Sequence, residues 1–422
     1  MKLSSFIQSN FGSLKNLVYW GFNAGIYITI AGLFTSRFAI SLGMIVMGAA
    51  SLLNLATLHK AEIIRRTQGR GLLFMTVLFL FVSVLTSFVG SEELGFAWVR
   101  FRLYAAFFLL PLIILFSPEL HERHYRNYFL FALIGAIFST SLVFMIYARD
   151  FEKISAAMGM GQPIPTPIPH IRYGMFVSFT FLLSFHAVVE GYFKNFTRLW
   201  VGLGAIFLLA AILILSVRTA WMVTFTGLMA LMVYYVFKYK RILPAIATLA
   251  ICIFLAYGSY FVLPSFKHKV DYMLYDWSRY RSGEGEAYSD SERVYSLKNG
   301  YSLWQQNFIW GVGSGDLHKS LKVNGKIIGV PANQIPHNQF LLTAVCGGLI
   351  SLVLFMTGFI SLMYYQDVRR SFPVTLLICL YLLTLFFEPT FETSVGVLSF
   401  VFIVCIAVKC ALKFKKKDVV YS

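Results

Sequence analysis

The 422-residue chain is 58% hydrophobic and only 13% charged, which excludes an ordinary soluble domain of this size and predicts a polytopic membrane protein. A net charge of +17 would point to nucleic acid in a soluble chain. Here the basic residues sit in short segments between apolar runs, where they act as an orientation signal, so no nucleic-acid partner is expected.

Lys2 and Lys15 precede the first apolar run, and no small-residue cleavage site follows it. The run therefore reads as a retained helix, not a removed signal peptide. Apolar runs long enough to cross roughly 30 Å of hydrocarbon lie near 17–34, 38–57, 71–90, 102–117, 128–148, 173–191, 199–217, 219–237, 243–263, 338–364, 373–388 and 395–412. They predict an all-α membrane protein with about twelve transmembrane helices and one large outward-facing loop containing amphipathic helices. The charges between the runs alternate in sign. One side collects Lys60, Arg65, Arg66, Arg70, Arg123, Arg126, Lys194, Arg198, Lys238, Lys240, Arg241, Arg369, Arg370 and the tail Lys413, Lys415, Lys416 and Lys417. The other collects Glu92, Glu93, Asp150, Glu152, Glu388 and Glu392. This positive-inside pattern predicts cytoplasmic termini. Cys252, Cys346, Cys379, Cys405 and Cys410 lie in or beside apolar runs without metal-ligand or disulfide spacing, and read as small core hydrophobes.

No soluble domain, linker or repeat is evident. The expected organisation is one transmembrane domain over 1–422, with helices at 17–263 and 338–412. Two longer loops, 149–172 and 264–337, then face outward. In the first, Pro163, Pro165, Pro167 and Pro169 forbid a helix and stiffen the chain that delivers His170 and Arg172 to the outer surface. In the second, Val294, Leu297, Tyr301, Trp304 and Phe308 recur at helical spacing. Ser289 with Glu292 fits a capping box, so an amphipathic surface helix is predicted, with Arg293 in its first turn.

A loop of this length among short ones is seldom a plain connector. An arginine and a histidine at its two ends, beside lipid, point to chemistry on an anionic lipid-linked substrate. Arg218 stands between two apolar runs with almost no connection between them. It reads either as a snorkelling anchor or as a functional group, and its expected outward side favours the second. Arg293 alone would be a solvated loop charge; its company makes it a candidate. The planar guanidinium fork matches phosphate oxygens. His337 follows Pro336 at the head of a membrane run, and reads as a helix-end cap or as a proton acceptor. His170 and Arg172 form a further candidate pair. Gly311-Val312-Gly313-Ser314-Gly315 reads as a backbone turn that folds the loop back, not a nucleotide loop, since no strand precedes it. Asp290-Ser291-Glu292 lacks further ligands for a metal and reads as capping. His186, inside a helix, is expected to bond within the bundle.

Ser-Val-Arg218-Thr-Ala, Ser-Glu-Arg293, Asn307-Phe308-Ile309-Trp310-Gly311-Val312-Gly313, Pro336-His337-Asn338-Gln339-Phe340 and Gly347-Gly348-Leu349-Ile350 occur in that order. Over roughly 210–400, including Glu388 and Glu392-Thr-Ser-Val-Gly396, the chain resembles the O-antigen ligase and O-antigen polymerase superfamily. Phe308 stands where the family often has proline. The resemblance implies metal-independent, inverting transfer of a glycan from an undecaprenyl-pyrophosphate carrier, with no cofactor. It implies an acceptor hydroxyl, that of lipid A-core for a ligase or of another lipid-linked repeat for a polymerase. It also implies the periplasmic face of a bacterial inner membrane. His337 would be the base, and Arg218 and Arg293 would hold the pyrophosphate. The chemistry is consistent: pyrophosphate leaves readily, so positive charge where negative charge develops is the main requirement.

A lipid-linked oligosaccharide flippase or other transporter is the alternative from another class. Transporters place charges mid-helix and often show related halves, whereas here the charges gather at one face. A metal-dependent membrane glycosyltransferase would need an acidic pair in the first outer loop, which is only Ser36-Arg37.

Overall fold

A computed structural model describes residues 2–60, 62–63, 70–282, 289–331, 334–364 and 371–414. Arg65, Arg66, Arg369, Arg370 and Lys415 to Lys417, used above to orient the chain, lie outside the described residues. The described residues form helices and no strand. Eight of these helices are long and apolar enough to cross a membrane: Leu14–Thr35, Arg37–Leu55, Leu94–Leu115, Arg123–Arg149, His170–Val189, Asn195–Leu215, Arg218–Tyr239 and Gln339–Met363. The other four expected spans take different forms. The run at 243–263 becomes Ile246–Val262, which turns through 93° into Pro264–Arg281. The runs at 71–90, 373–388 and 395–412 contain the shorter apolar helices Met75–Phe88, Phe372–Thr384 and Ser394–Ile406. The regular structure of the described residues is thus helical throughout, with the apolar spans of a membrane protein.

Contacts group the chain into two compact units. The first comprises 1–129, 296–378 and 388–422. Its helices are α1 (Lys2–Thr35), α2 (Arg37–Leu55), α3 (Arg70–Phe88), α4 (Leu94–Leu115) and the start of α5 (Glu122–Arg149). The second comprises 130–295 and 379–387. It holds the rest of α5, then α6 (Phe151–Gly159), α7 (His170–Val189), α8 (Asn195–Leu215), α9 (Arg218–Tyr239), α10 (Leu243–Val262), α11 (Pro264–Arg281) and the first turns of α12 (Ser289–Gln306). The remainder of α12, α13 (Leu317–Ile328), α14 (Gln339–Tyr364), most of α15 (Phe372–Thr384), a 3₁₀ turn (Thr390–Glu392) and α16 (Ser394–Phe414) return to the first unit.

In the first unit, α1 and α2 are joined by Ser36 alone. They cross where Gly25, Gly32 and Gly43 leave no room for a Cβ, the small-residue packing that brings membrane helices close. Phe79, Phe107, Phe355, Phe359, Phe391 and Phe400 form an aromatic core between α3, α4, α14, the 3₁₀ turn and α16. In the second unit, α7 packs between α8 and α9. Ser178 Oγ donates to the Ala220 carbonyl at 3.2 Å and accepts from Thr224 at 3.0 Å. His186 bonds Tyr235 at 2.8 Å inside this bundle, as expected.

The segment 264–337 is mostly helical. α11 restarts the chain at Pro264, a residue suited to the first helical position. It carries Lys267, Lys269, Asp271, Asp276, Arg279 and Arg281, too many charges for a helix surrounded by hydrocarbon. α12 forms where the sequence predicts it, but with a different buried face. Ser296, Asn299, Gly300 and Leu303 are buried, whereas Tyr301 and Phe308 of the predicted apolar stripe are exposed. The reason is close approach. Pro336 fills the space a Cβ on Gly300 would need, and Asn299 donates to the Leu321 carbonyl at 2.9 Å while Asn324 returns a bond to Asn299. Small and polar residues pack this helix better than the aromatic stripe does.

The glycine turn after α12 docks on a break in α14. Gly348 has φ 67° and ψ −169°, outside the helical region. That break frees carbonyls inside the helix, which must find other donors. Val312 N donates to Val345 O and Gly313 N to Cys346 O, both at 2.9 Å, and Leu349 N donates to Phe308 O at 2.8 Å. Gly348 lies so close to Ile309 that no side chain fits. The turn therefore clasps α14 at its break and fixes the short helical head that follows His337.

Candidate functional site

The second unit gathers cations at the start of α9. The αL conformation of Ser216 ends α8, and α9 begins two residues later, which places Arg218 at its first position. A Cβ on Gly174 would meet Ala220 and Val217 at 3.0 and 3.1 Å, so the first turns of α7 and α9 are neighbours. Arg172 lies buried in that turn of α7. His170 opens the same helix after the non-helical segment 162–169 and is half-buried. Trp221 and Phe266 pack with ring centroids 4.4 Å apart and planes tilted by 33°, which seats α11 beside α9.

Arg218 forms an ion pair with Asp290 and approaches Ser289 Oγ at 3.4 Å. Arg293 follows Asp290 by three residues, on the adjacent turn of α12. The start of α12 is capped from α11. Buried Asp276 accepts from the backbone N–H groups of Asp290 at 2.6 Å and Ser291 at 3.3 Å, and from Ser291 Oγ at 2.6 Å. Lys269 of α11 lies within electrostatic reach of Arg218, Arg293, Asp290 and Asp276. Burial, then Arg218 and Arg293, lower its ammonium to about 8.

His337 belongs to the first unit, in the turn between Pro336 and α14. Its backbone N donates to Ser296 Oγ at 3.3 Å. Nε2 lies 2.6 Å from Gln334 Oε1, and Nδ1 lies 3.6 Å from Glu388, whose side chain is buried. Asn338 caps α14 by accepting from Leu341 N at 2.9 Å. Gln339, fully buried, accepts from Phe391 N at 2.8 Å and donates to Tyr104 OH at 2.9 Å. Glu392 accepts from Arg100 at 2.8 Å and Tyr104 at 3.0 Å. Arg100, Tyr104, Glu392 and Gln339 thus form a buried network that ties α4, the 3₁₀ turn and the head of α14 together. Removing one partner of such a pair typically costs about 3–5 kcal/mol, because the other charge is left buried.

The structure thus brings Arg218 and Arg293 into one charge cluster, places Arg172 near the start of α9, and sets His337 beside a carboxylate. Sequence reading passed over Lys269, Asp276 and Arg100. Arg100 lay just before the predicted span 102–117, though the helix starts at Leu94; an arginine inside a span was the available signal. Among the described residues, no three His, Cys, Asp or Glu side chains gather as metal ligands.

Eight helices long and apolar enough to cross a membrane define the class as polytopic helical proteins. Residues 203–356, which include Arg218, Arg293 and His337, match the family described as O-antigen ligase, and over this segment the chain is similar to that family. Members of that family transfer glycans. No curated protein matches the chain.

Proposed function

We propose that the chain is an O-antigen ligase, transferring a glycan from an undecaprenyl-pyrophosphate carrier to a hydroxyl of lipid A-core at the periplasmic face of the bacterial inner membrane. The observation that carries this reading is the ion pair of Arg218 with Asp290, three residues before Arg293 on α12, inside the matched segment. Two guanidinium forks offer the donors a pyrophosphate needs as its charge develops. His337 takes the proton of the acceptor hydroxyl, and Arg172 and His170 border the entrance. The whole chain acts as one transmembrane enzyme, with 264–337 supplying part of the site. Deleting the gene and resolving the lipopolysaccharide on a gel tests the reading. A ligase leaves lipid A-core bare while long glycan accumulates on the lipid carrier. A polymerase instead leaves single repeats on lipid A-core, and that pattern would replace the ligase reading.

The proposed orientation puts both termini in the cytoplasm and 264–337 outside. Gly325 is buried in α13, so an introduced thiol reports better at exposed Ile327. Ile327→Cys is expected to react with an impermeant maleimide in intact spheroplasts. Reaction only after permeabilisation would invert the orientation.

Transfer is proposed to need no metal, with arginines supplying the positive charge. Purified enzyme is expected to keep its rate in excess EDTA. A loss that magnesium or manganese restores would assign the charge to an ion instead.

A further inference from the structure

Lys269 is the cation that the preceding assignment leaves without a task. Its position is built from both sides. Phe266, one turn earlier on α11, packs its ring against Trp221 of α9, and Asp276, two turns later, caps α12. Between these anchors, Nζ lies 5.8 Å from the centroid of Tyr272. Tyr272 is itself seated against Gly161, where a Cβ would come within 2.6 Å of its ring. The lysine is therefore held, half-buried, among groups of α9 and α12.

Those groups are Arg218 from α9, Asp290 and Arg293 from α12, and Asp276 from its own helix. On the other helices packed against α11, the charges are Glu152 and Lys153 of α6 and Arg198 of α8, all exposed. α10 contributes no charge; its Tyr260 bonds Asp271 at 2.8 Å. Both nearby carboxylates are engaged: Asp290 pairs with Arg218, and Asp276 accepts three bonds from the first turn of α12. Among these described groups, the three cations Arg218, Lys269 and Arg293 thus meet the carboxylates of Asp290 and Asp276, each of which is already bonded. Such a cluster gains most when an anion with several oxygens enters it.

We infer that Lys269 is a third cationic ligand for the donor pyrophosphate, completing a cradle with Arg218 and Arg293. This rests on the pyrophosphate reading above and extends it to α11. The arginines grip oxygens through fixed forks, whereas the ammonium supplies a compact charge with three rotatable donors. Only the lysine can lose its charge in an accessible range. Its ammonium is lowered to about 8 by burial and by the two arginines. A bound dianion favours the charged form, so donor binding draws a proton onto Lys269 once the pH exceeds that value. Affinity accordingly falls as the pH rises through it.

The test uses the full chain in lipid nanodiscs and farnesyl-pyrophosphoryl-N-acetylglucosamine as probe, whose two phosphates stay ionised throughout. Binding is measured near pH 7 and near pH 9.5. Losing one charge-assisted contact corresponds to about ten- to hundredfold in affinity, and that is the weakening expected for Lys269→Met near pH 7. The unaltered protein should approach the Met variant near pH 9.5. Lys269→Arg, charged at both values, should keep its affinity across the range. If Lys269→Met binds like the unaltered protein while Arg218→Ala is weakened, Lys269 is no ligand and the pyrophosphate reading stands. Lys269 is likewise no ligand if Lys269→Arg falls with pH as steeply as the unaltered protein. If neither Arg218→Ala nor Arg293→Ala weakens binding, the pyrophosphate reading itself fails and takes this inference with it.

Discussion

Arg218→Ala and Arg293→Ala are each expected to lower glycan transfer by about one to two orders of magnitude at normal expression. Each substitution removes charge-assisted hydrogen bonds to a doubly charged group, worth about 1.5–3 kcal/mol apiece. Lysine at either position should rescue only partly, because an ammonium cannot bind two oxygens in a fixed plane. For Arg218 there is a competing cause, since its loss also strips Asp290 of its partner. The double variant Arg218→Ala, Asp290→Ala separates the two. If Arg218 serves the substrate, the double variant stays as slow as the single. If it serves only to neutralise Asp290, the double variant recovers. Turnover near that of the unaltered enzyme in both single Ala variants would remove the arginines from the mechanism.

Much of this arrangement was legible in the residues. The helices follow from apolar runs, because a span must satisfy its backbone internally and so declares itself by length and composition. Gly311-Val312-Gly313 was legible as a turn, since positive φ favours glycine, and both glycines have it. Its docking point was not. The break at Gly348 pairs with residues nearly forty positions earlier, and local pattern carries no such information. The buried face of α12 was misread for a related reason. Hydrophobic periodicity finds faces that bury large apolar groups, and this helix buries Ser296, Asn299 and Gly300 against Pro336 and Asn324.

The candidate residues show the same division. Arg218 declared itself by standing alone between apolar runs. Arg100 and Glu392 are 292 residues apart, and nothing in either neighbourhood announces the other. Glu388 stood in the sequence as a loop carboxylate of the outer face, yet its side chain is buried beside His337. Lys269 was hidden by its surroundings in sequence, because a lysine among charged residues reads as solvated until a fold places it among arginines.

His337→Ala is expected to leave donor binding nearly intact while transfer falls by about 10²–10⁴-fold, the range for loss of a general base. The geometry assigns the two ring nitrogens different tasks. A neutral imidazole carries a single N–H. With that hydrogen on Nδ1, facing the buried Glu388 carboxylate at 3.6 Å, Nε2 is the basic nitrogen. Gln334 Oε1, 2.6 Å from Nε2, can only accept, so it bonds the Nε2–H form and must turn away before an acceptor hydroxyl meets a basic Nε2. Glu388→Gln should therefore slow transfer less than His337→Ala, because the ring stays in position but its developing positive charge loses a counter-ion. Gln at 337 can hydrogen-bond but cannot accept a full proton, so it separates orientation from proton transfer. A His337→Gln enzyme with activity close to that of the unaltered protein would rule out proton abstraction. It would leave the histidine as an orienting group, with departure of the pyrophosphate supplying the driving force. Weakened donor binding in His337→Ala would instead move the residue from the acceptor to the donor. Binding of the pyrophosphate probe and single-turnover transfer, measured side by side for the three variants, distinguish these outcomes.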